Sequence, residues 1–161
     1  MQVGARNELH TAKRSSGLDL SDPRLQSAWD DVRSDSDVNW CLFGYPDGSS
    51  TKLEFKSSGS DGLKGLLGTL SEDSVTWAGM KISVGGGTKL VRFMFVGSNV
   101  GGMKRGKASL HKNTVFNMME GAACDVSFDG GDGLVDVTRE KIIHEIARAV
   151  SITDPSIIHL P

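Results

Sequence analysis

Two strand-like segments that meet at a run of three glycines restrict the possible folds of this chain most strongly. The segments SVTWAGMKISV (residues 74–84) and KLVRFMFV (residues 89–96) are rich in β-branched and aromatic residues, and the two are separated by GGGT. Runs of this composition on either side of a glycine turn are typical of a β-hairpin. The sequence therefore predicts two antiparallel strands here.

Helical and strand-like patterns precede and follow this hairpin. A capped amphipathic pattern begins at Ser21 or Asp22, and VNWCLFGY and TKLEF flank the turn signal PDGSS. Further segments are a short glycine-containing helix (DGLKGLLGTL), a long helix (LHKNTVFNMM), a strand (CDVSF) and a final helix (TREKIIHEIARAV). Hairpins with intervening helices predict an α/β (α+β) domain, with a mixed sheet of about five strands and helices on both faces.

The length of 161 residues fits one domain with a single substantial core. We expect a flexible N-terminal tail over residues 1–20, the domain over 21–150 and a C-terminal tail over 151–161, in which three apolar side chains could dock. No apolar run reaches ~18 residues, so no membrane span is predicted. The start of the chain has no apolar signal core, which favours a cytoplasmic protein. Cys41 and Cys124 lie far apart in apolar surroundings and are expected to be reduced.

The charges are distributed unevenly, although the net charge is only −2. No acidic residue occurs between Asp73 and Glu120. That basic segment contains Lys81, Lys89, Arg92, Lys104, Arg105, Lys107 and Lys112. A near-neutral chain with one wholly basic segment is suited to an acidic partner.

The stretch GGMKRGKASLHK also matches the phosphate-loop pattern G-x-x-x-x-G-K at Gly101, Gly106 and Lys107. A nucleotide-binding phosphate loop needs Ser or Thr after the lysine, because that hydroxyl binds the magnesium. Ala108 occupies the position here, and no later apolar strand ends in the expected acidic residue. We therefore expect no nucleotide site and no cofactor.

The cations near the predicted start of the long helix still need an explanation. Lys104, Arg105 and Lys107 would precede a helix that starts at His111 and Lys112, where the helix dipole disfavours positive charge. Such a conflict with local stability is typical of a functional surface that attracts anions. Nucleic acid is disfavoured because no exposed aromatic residues alternate with the cations. The histidines form no catalytic grouping, and the aspartates of DGGDG lack the spacing of a calcium loop.

Two motifs resemble the coactosin-like branch of the actin-depolymerising factor homology (ADF/cofilin homology) family. The first is V-x-W-x-x-F-x-Y-x-DG-S, present from Val38 to Ser49 with Pro46 inserted. The second is G-x-N-V-x-G-x-x-R-x-K, present from Gly97 to Lys107. The resemblance extends over about residues 21–150.

This resemblance implies a non-enzymatic, cytoskeleton-associated protein that binds filamentous actin and modulates filament dynamics. The implied actin-binding residues are Lys89, Lys104, Arg105, Lys107 and Lys112. The hairpin before Lys89 has fewer cations than is usual in this branch, which puts affinity in question. The N-terminus also lacks the short serine-bearing start of cofilins, so monomer binding and severing are not implied. The alternative is an anion or phosphoinositide headgroup binder that uses the same residues. The oligomeric state stays open, with a monomer as the default.

Overall fold

The computed structural model describes residues 17–161, in which the chain forms four α-helices and six β-strands. In chain order the elements are α1 (Arg24–Arg33), β1 (Trp40–Gly44), β2 (Glu54–Gly59), α2 (Gly62–Gly68), β3 (Val75–Val84), β4 (Gly87–Val96), α3 (Gly102–Met118), β5 (Cys124–Phe128), α4 (Arg139–Ala149), a 3-10 turn (Pro155–Ile157) and β6 (Ile158–His159).

One mixed sheet organises the fold. Its strand order is β2-β1-β3-β4-β5, and every neighbouring pair is antiparallel except β4 and β5, which are parallel. The short strand β6 pairs with the end of β3. The predicted mixed sheet is confirmed. It has one strand more than the five that were expected, because β6 has only two residues and is too short to show a strand pattern in the sequence.

The β3–β4 hairpin is the longest strand pairing, and its turn explains the glycines. Val84 pairs with Gly87, so Gly85 and Gly86 alone make the connection. Their φ angles are 58° and 85°, a left-handed conformation that type I′ hairpin turns require at both positions and that glycine adopts without steric cost. The hairpin predicted from the sequence is confirmed.

Helices cover both faces of the sheet. Side chains alternate along β4, so that Met94 and Val96 join the core beneath α1 and α3, whereas Val91, Phe93 and Phe95 join the core beneath α2 and α4. Each face therefore has its own hydrophobic core, and the sheet separates the two.

The start of α1 is joined to strand β2 by one carboxylate, that of Asp22. It accepts hydrogen bonds from the backbone N–H and guanidinium of Arg24 and from the backbone N–H of Phe55. The hydrogen bond from the Arg24 side chain, aided by the two backbone bonds, holds the pKa of Asp22 well below its usual range. The N-cap of α1 is Pro23, without a side-chain cap, so neither Ser21 nor Asp22 occupies the predicted cap position, although Asp22 accepts from the N–H of Arg24 at the start of the helix.

Gly79 gives a test of the packing between α1 and the sheet. A Cβ on Gly79 would lie 2.3 Å from Cζ3 of the fully buried Trp29 ring. We expect Gly79→Ala to lower the free energy of unfolding by about 1–3 kcal/mol, because the close-packed core cannot absorb the methyl group. Gly68→Ala is the matched control, since a Cβ there would meet no other part of residues 17–161 within 4 Å beyond its chain neighbours and the backbone of its own helix, and Ala favours the helix by up to ~1 kcal/mol. Urea unfolding measures both, and equal stability of Gly79→Ala and wild type would contradict the packing.

Helix α3 begins at Gly102, eight residues before the predicted start at Leu110. The prediction of a basic loop at 104–107 was wrong. Glycines and the lack of acidic residues in the first turn made this stretch a poor helix by local propensity. Tertiary packing outweighs the low helix propensity, because Ala108 and His111 on the inner side of α3 are buried in the core.

Both ends of the described chain contact the domain. Leu18 lies near the end of the segment predicted as an N-terminal tail over residues 1–20, and it is fully buried. The backbone of Asp19 forms an isolated parallel β-bridge with Lys52. The rest of that tail prediction lies outside the described residues. In residues 151–161, Ile158 and Leu160 are buried, and the carbonyl oxygen of Pro161 accepts a 2.7 Å hydrogen bond from the backbone N–H of Leu63. Within residues 17–161, no helix is long and apolar enough to cross a membrane.

Candidate functional site

The cations of the basic segment divide into two groups. Lys81 and Arg92 are held by other groups of the fold. The Lys81 ammonium donates to the carbonyl oxygens of Ser34 and Ser36 after α1. The Arg92 guanidinium donates to the carbonyl oxygens of Phe116 and Met119 at the end of α3 and to the carboxylate of Asp125 on β5. Positive groups stabilise the carbonyl ends of helices. These two cations therefore stabilise the fold.

Arg105 is also held by backbone, although it lies in the N-terminal half of α3. Its Nε donates to the carbonyl oxygen of Val100, and one terminal nitrogen donates to that of Gly97. The other terminal nitrogen donates to the carbonyl oxygens of Asp129 and Gly130. The guanidinium thus braces two loops against α3, and its donors are engaged by backbone carbonyls.

Three lysines remain at the surface of α3, and we call Lys104, Lys107 and Lys112 the α3 basic surface. The Lys104 ammonium lies 5.7 Å from the centre of the Tyr45 ring, a cation–π geometry. The Lys107 ammonium lies 3.4 Å from Oγ of Ser50, in the loop after β1. These contacts orient Lys104 and Lys107, and no carboxylate within residues 17–161 forms an ion pair with either.

Lys112 is paired more directly. Its ammonium lies 3.6 Å from a carboxylate oxygen of Asp129, and both side chains are partly exposed to solvent. An exposed ion pair of this kind contributes little to stability and is weakened by salt. Lys112 is therefore a weaker contributor to the positive potential than Lys104 and Lys107.

The helix itself adds to this potential. Gly101 is the N-cap of α3 and supplies no side-chain hydrogen bond, and the first turn has no acidic residue. The unpaired N–H groups and the helix dipole therefore leave partial positive charge at this end. Since residues 102–107 are helical, the phosphate-loop match is not a loop in the structure.

Two exposed apolar side chains on α3 were missed by sequence reasoning. Met103 is 81% exposed and Leu110 is 63% exposed. With Lys107 between them, they follow the i, i+4, i+7 spacing that places side chains on one face of a helix. The same spacing is visible in the sequence, but only if α3 is predicted to begin at Gly102. Large exposed apolar residues beside cations are typical of a protein-binding surface.

A buried polar pair lies beneath this surface and fixes α3 against β1. The Tyr45 hydroxyl and Nδ1 of His111 share a hydrogen bond of 2.7 Å, and both residues are buried. Burial raises the pKa of the Tyr45 hydroxyl, so the phenol stays neutral at physiological pH. His111, which the sequence placed at the start of the helix as a polar residue, is an interior residue of α3.

Lys89 lies on the other face of the sheet. It pairs with Ile82 across the β3–β4 hairpin, and it is two residues from Val91, so its side chain is on the side of α2 and α4. The structure therefore brings Lys104, Lys107 and Lys112 together on α3 and separates Lys89 from them.

The described residues offer little else for chemistry. Over residues 17–161 no group of three or more His, Cys, Asp or Glu side chains could hold a metal ion. Cys41 and Cys124 are free thiols, and burial raises their pKa to about 12 and about 11. Thiols with such pKa values are poor nucleophiles at neutral pH.

Comparison with known proteins assigns the fold to a family. The family model of cofilin/tropomyosin-type actin-binding proteins matches residues 17–147. The chain belongs to this family. Its members are defined by actin binding rather than by catalysis.

Within the family, the likeness to coactosins predicted from two motifs is confirmed. Coactosin of Dictyostelium discoideum is 27% identical over 137 residues, which cover 81% of this chain and 90% of coactosin. Human coactosin-like protein shares the fold with a TM-score of 0.70 at 20% identity, over 82% of this chain and 99% of the human chain. Mouse coactosin, described as an actin filament binding protein, gives a TM-score of 0.66 at 19% identity, over 83% and 92% of the two chains.

Proposed function

We propose that this protein binds filamentous actin through the α3 basic surface and modulates filament dynamics without catalysis. The observation that carries the proposal is the exposed face of α3, where Met103 and Leu110 flank Lys107. Apolar side chains supply the buried centre of a protein interface, and cations beside them select an acidic partner. Membership of an actin-binding family and the description of mouse coactosin as a filament binder support actin as that partner.

The rigidity of this face supports the same proposal. Arg105 holds α3 to its neighbouring loops, and the Tyr45–His111 hydrogen bond fixes the buried side of the helix. A surface that is ordered before it binds loses less conformational entropy when a partner docks. We infer that α3 docks on the filament as a preformed helix.

Lys89 has a separate position in this proposal. It lies at the end of the β3–β4 hairpin on the face opposite α3, so it can join the same interface only at its periphery. Charges at the rim of an interface act mainly on the association rate and its salt dependence.

The proposed location of the protein is the actin cytoskeleton of the cytoplasm.

Co-sedimentation separates filament binding from the alternative, a phosphoinositide headgroup binder that uses the same lysines. The protein is mixed with actin filaments, and in parallel with phosphoinositide vesicles, at low and at physiological salt. We expect it to pellet with filaments and to do so less at the higher salt, because exposed charges are screened beyond ~8 Å at physiological ionic strength. If it stays in the supernatant with filaments at both salts, filament binding is contradicted, and vesicle binding alone would support the alternative.

A further inference from the structure

An apolar cavity lies on the face of the sheet opposite the α3 basic surface. It has a volume of about 260 Å³ and is bounded by the end of the β3–β4 hairpin, the start of β5 and the C-terminal half of α4. Ile82, Val91 and Ile146 line its interior and are buried. The sheet thus separates the cavity from the α3 basic surface, and Lys89 is the one proposed actin-binding residue that lines it.

The walls and the opening of the cavity differ in chemistry. Val150 and Ile152 form partly exposed apolar walls, and Cys124 lies beside them at the start of β5. Lys89 is the only charged side chain among the described residues that line the cavity. Because it is exposed and shares the face of Val91, its ammonium lies at the opening rather than in the interior.

The lining therefore contains one cation and no carboxylate, above an interior of aliphatic groups. The Cys124 thiol adds no charge, because burial raises its pKa to about 11. An apolar ligand with a single negative charge matches this arrangement, whereas a cationic or strongly polar ligand does not. The volume lies just below the ~300–1,000 Å³ of sites for drug-sized ligands, so the ligand must be small.

We propose that this cavity binds a medium-chain fatty acid, with the aliphatic chain against Val91 and Ile146 and the carboxylate beside the Lys89 ammonium. The chain contributes most of the affinity, at about fourfold per buried methylene. The ion pair at the exposed opening contributes about two- to fivefold and sets the orientation. The carboxylate of a bound fatty acid would contact the Lys89 ammonium. Lys89 could then not contact another protein at the rim of an interface, so the two contacts would exclude one another.

Cys124 offers a direct readout of occupancy. It lines the cavity and is partly exposed, whereas Cys41 is fully buried and serves as an internal control for unfolding. Because a thiol with a raised pKa reacts slowly, the full chain is treated with excess N-ethylmaleimide at mildly alkaline pH until Cys124 of the ligand-free protein is modified, and the rate is then measured at increasing octanoate concentrations by mass spectrometry. We expect octanoate to slow modification of Cys124 while Cys41 stays unmodified.

Two comparisons test the orientation and the location. With Lys89→Gln we expect half-maximal protection at about two- to fivefold higher octanoate, and with Val150→Phe, which fills the cavity, we expect protection to be lost. Octanol, which has a similar chain but no charge, should protect wild type at higher concentrations than octanoate does. An unchanged Cys124 rate with octanoate, or equal protection of wild type and Val150→Phe, overturns the site. Equal protection by octanol and octanoate overturns the role of Lys89.

Discussion

Reversal of two charges on α3, in the double variant Lys104→Glu/Lys107→Glu, is expected to weaken filament binding by at least about tenfold. Both ammonium groups lie on the N-terminal half of α3, and neither has a carboxylate partner in the part of the chain that the structure describes. Replacing them puts two negative charges against an acidic filament surface, and like charges juxtaposed at an interface cost several kcal/mol. Co-sedimentation over a range of filament concentrations gives the dissociation constants of variant and wild type.

A matched control separates the position of the charges from their number. The double variant Lys64→Glu/Lys141→Glu has the same net charge, but its substitutions lie in α2 and α4, on the opposite face of the sheet. We expect this control to bind nearly as well as wild type at physiological salt. Thermal unfolding checks that both variants are folded. The Lys104→Glu/Lys107→Glu variant should stay folded, because losing the cation–π contact between Lys104 and Tyr45 costs only about 0.5–1 kcal/mol of stability. Equal weakening by the two double variants would mean that net charge, and not the α3 basic surface, determines binding.

The second large effect is expected at Arg105, where Arg105→Ala should lower the free energy of unfolding by about 3 kcal/mol. The guanidinium donates to the carbonyl oxygens of Gly97, Val100, Asp129 and Gly130. Hydrogen bonds from a charged donor contribute ~1.5–3 kcal/mol each when they are shielded, and less where solvent can replace them. Two of these bonds are partly buried and two are exposed, so the total is well below four full contributions.

Two further variants make the result at Arg105 specific. Arg105→Lys keeps the charge but lacks the planar fork of donors, so we expect an intermediate loss of stability. Lys107→Ala, two residues further along α3 and on its exposed side, should unfold at nearly the same urea concentration as wild type, because the polar contact of Lys107 within residues 17–161 is a 3.4 Å approach to Ser50. Urea denaturation followed by tryptophan fluorescence measures all three. A wild-type midpoint for Arg105→Ala would show that the loops do not depend on this brace, and Arg105 would then be available for binding.

Local patterns in the sequence were sufficient for most of the fold. The β3–β4 hairpin was predictable because its strands have the right composition and because its turn needs positive φ at Gly85 and Gly86. The helices of the predicted order are also present, since each has an apolar face with helical spacing.

The start of α3 was not predictable by the same means. Residues 102–107 have poor helix propensity, and they are helical because Ala108 and His111 of the same helix are buried in the core and Arg105 binds two loops. One of these loops contains Asp129 and Gly130, which are 24 and 25 residues from Arg105, so the contact is tertiary. The error hid the exposed face of α3, because Met103 and Leu110 share a face with Lys107 only when the whole stretch is helical.

The sequence predicted one set of cations as the candidate site. In the structure, these cations differ in the face of the sheet on which they lie and in the groups that they contact. Their charge was visible in the sequence, but the direction of each side chain depends on strand register and on the loops nearby. Register puts Lys89 on the face of α4, and loop carbonyls take up the guanidinium of Arg105. Neither fact could be obtained from spacing alone.

A cryo-electron microscopy structure of actin filaments decorated with this protein would show directly whether the exposed face of α3 contacts the filament. We predict that Met103, Lys107 and Leu110 are buried against actin, with Lys104 beside them. A decorated filament in which these side chains remain in solvent, and in which α4 or the edge strand β2 makes the contact instead, would contradict the proposal.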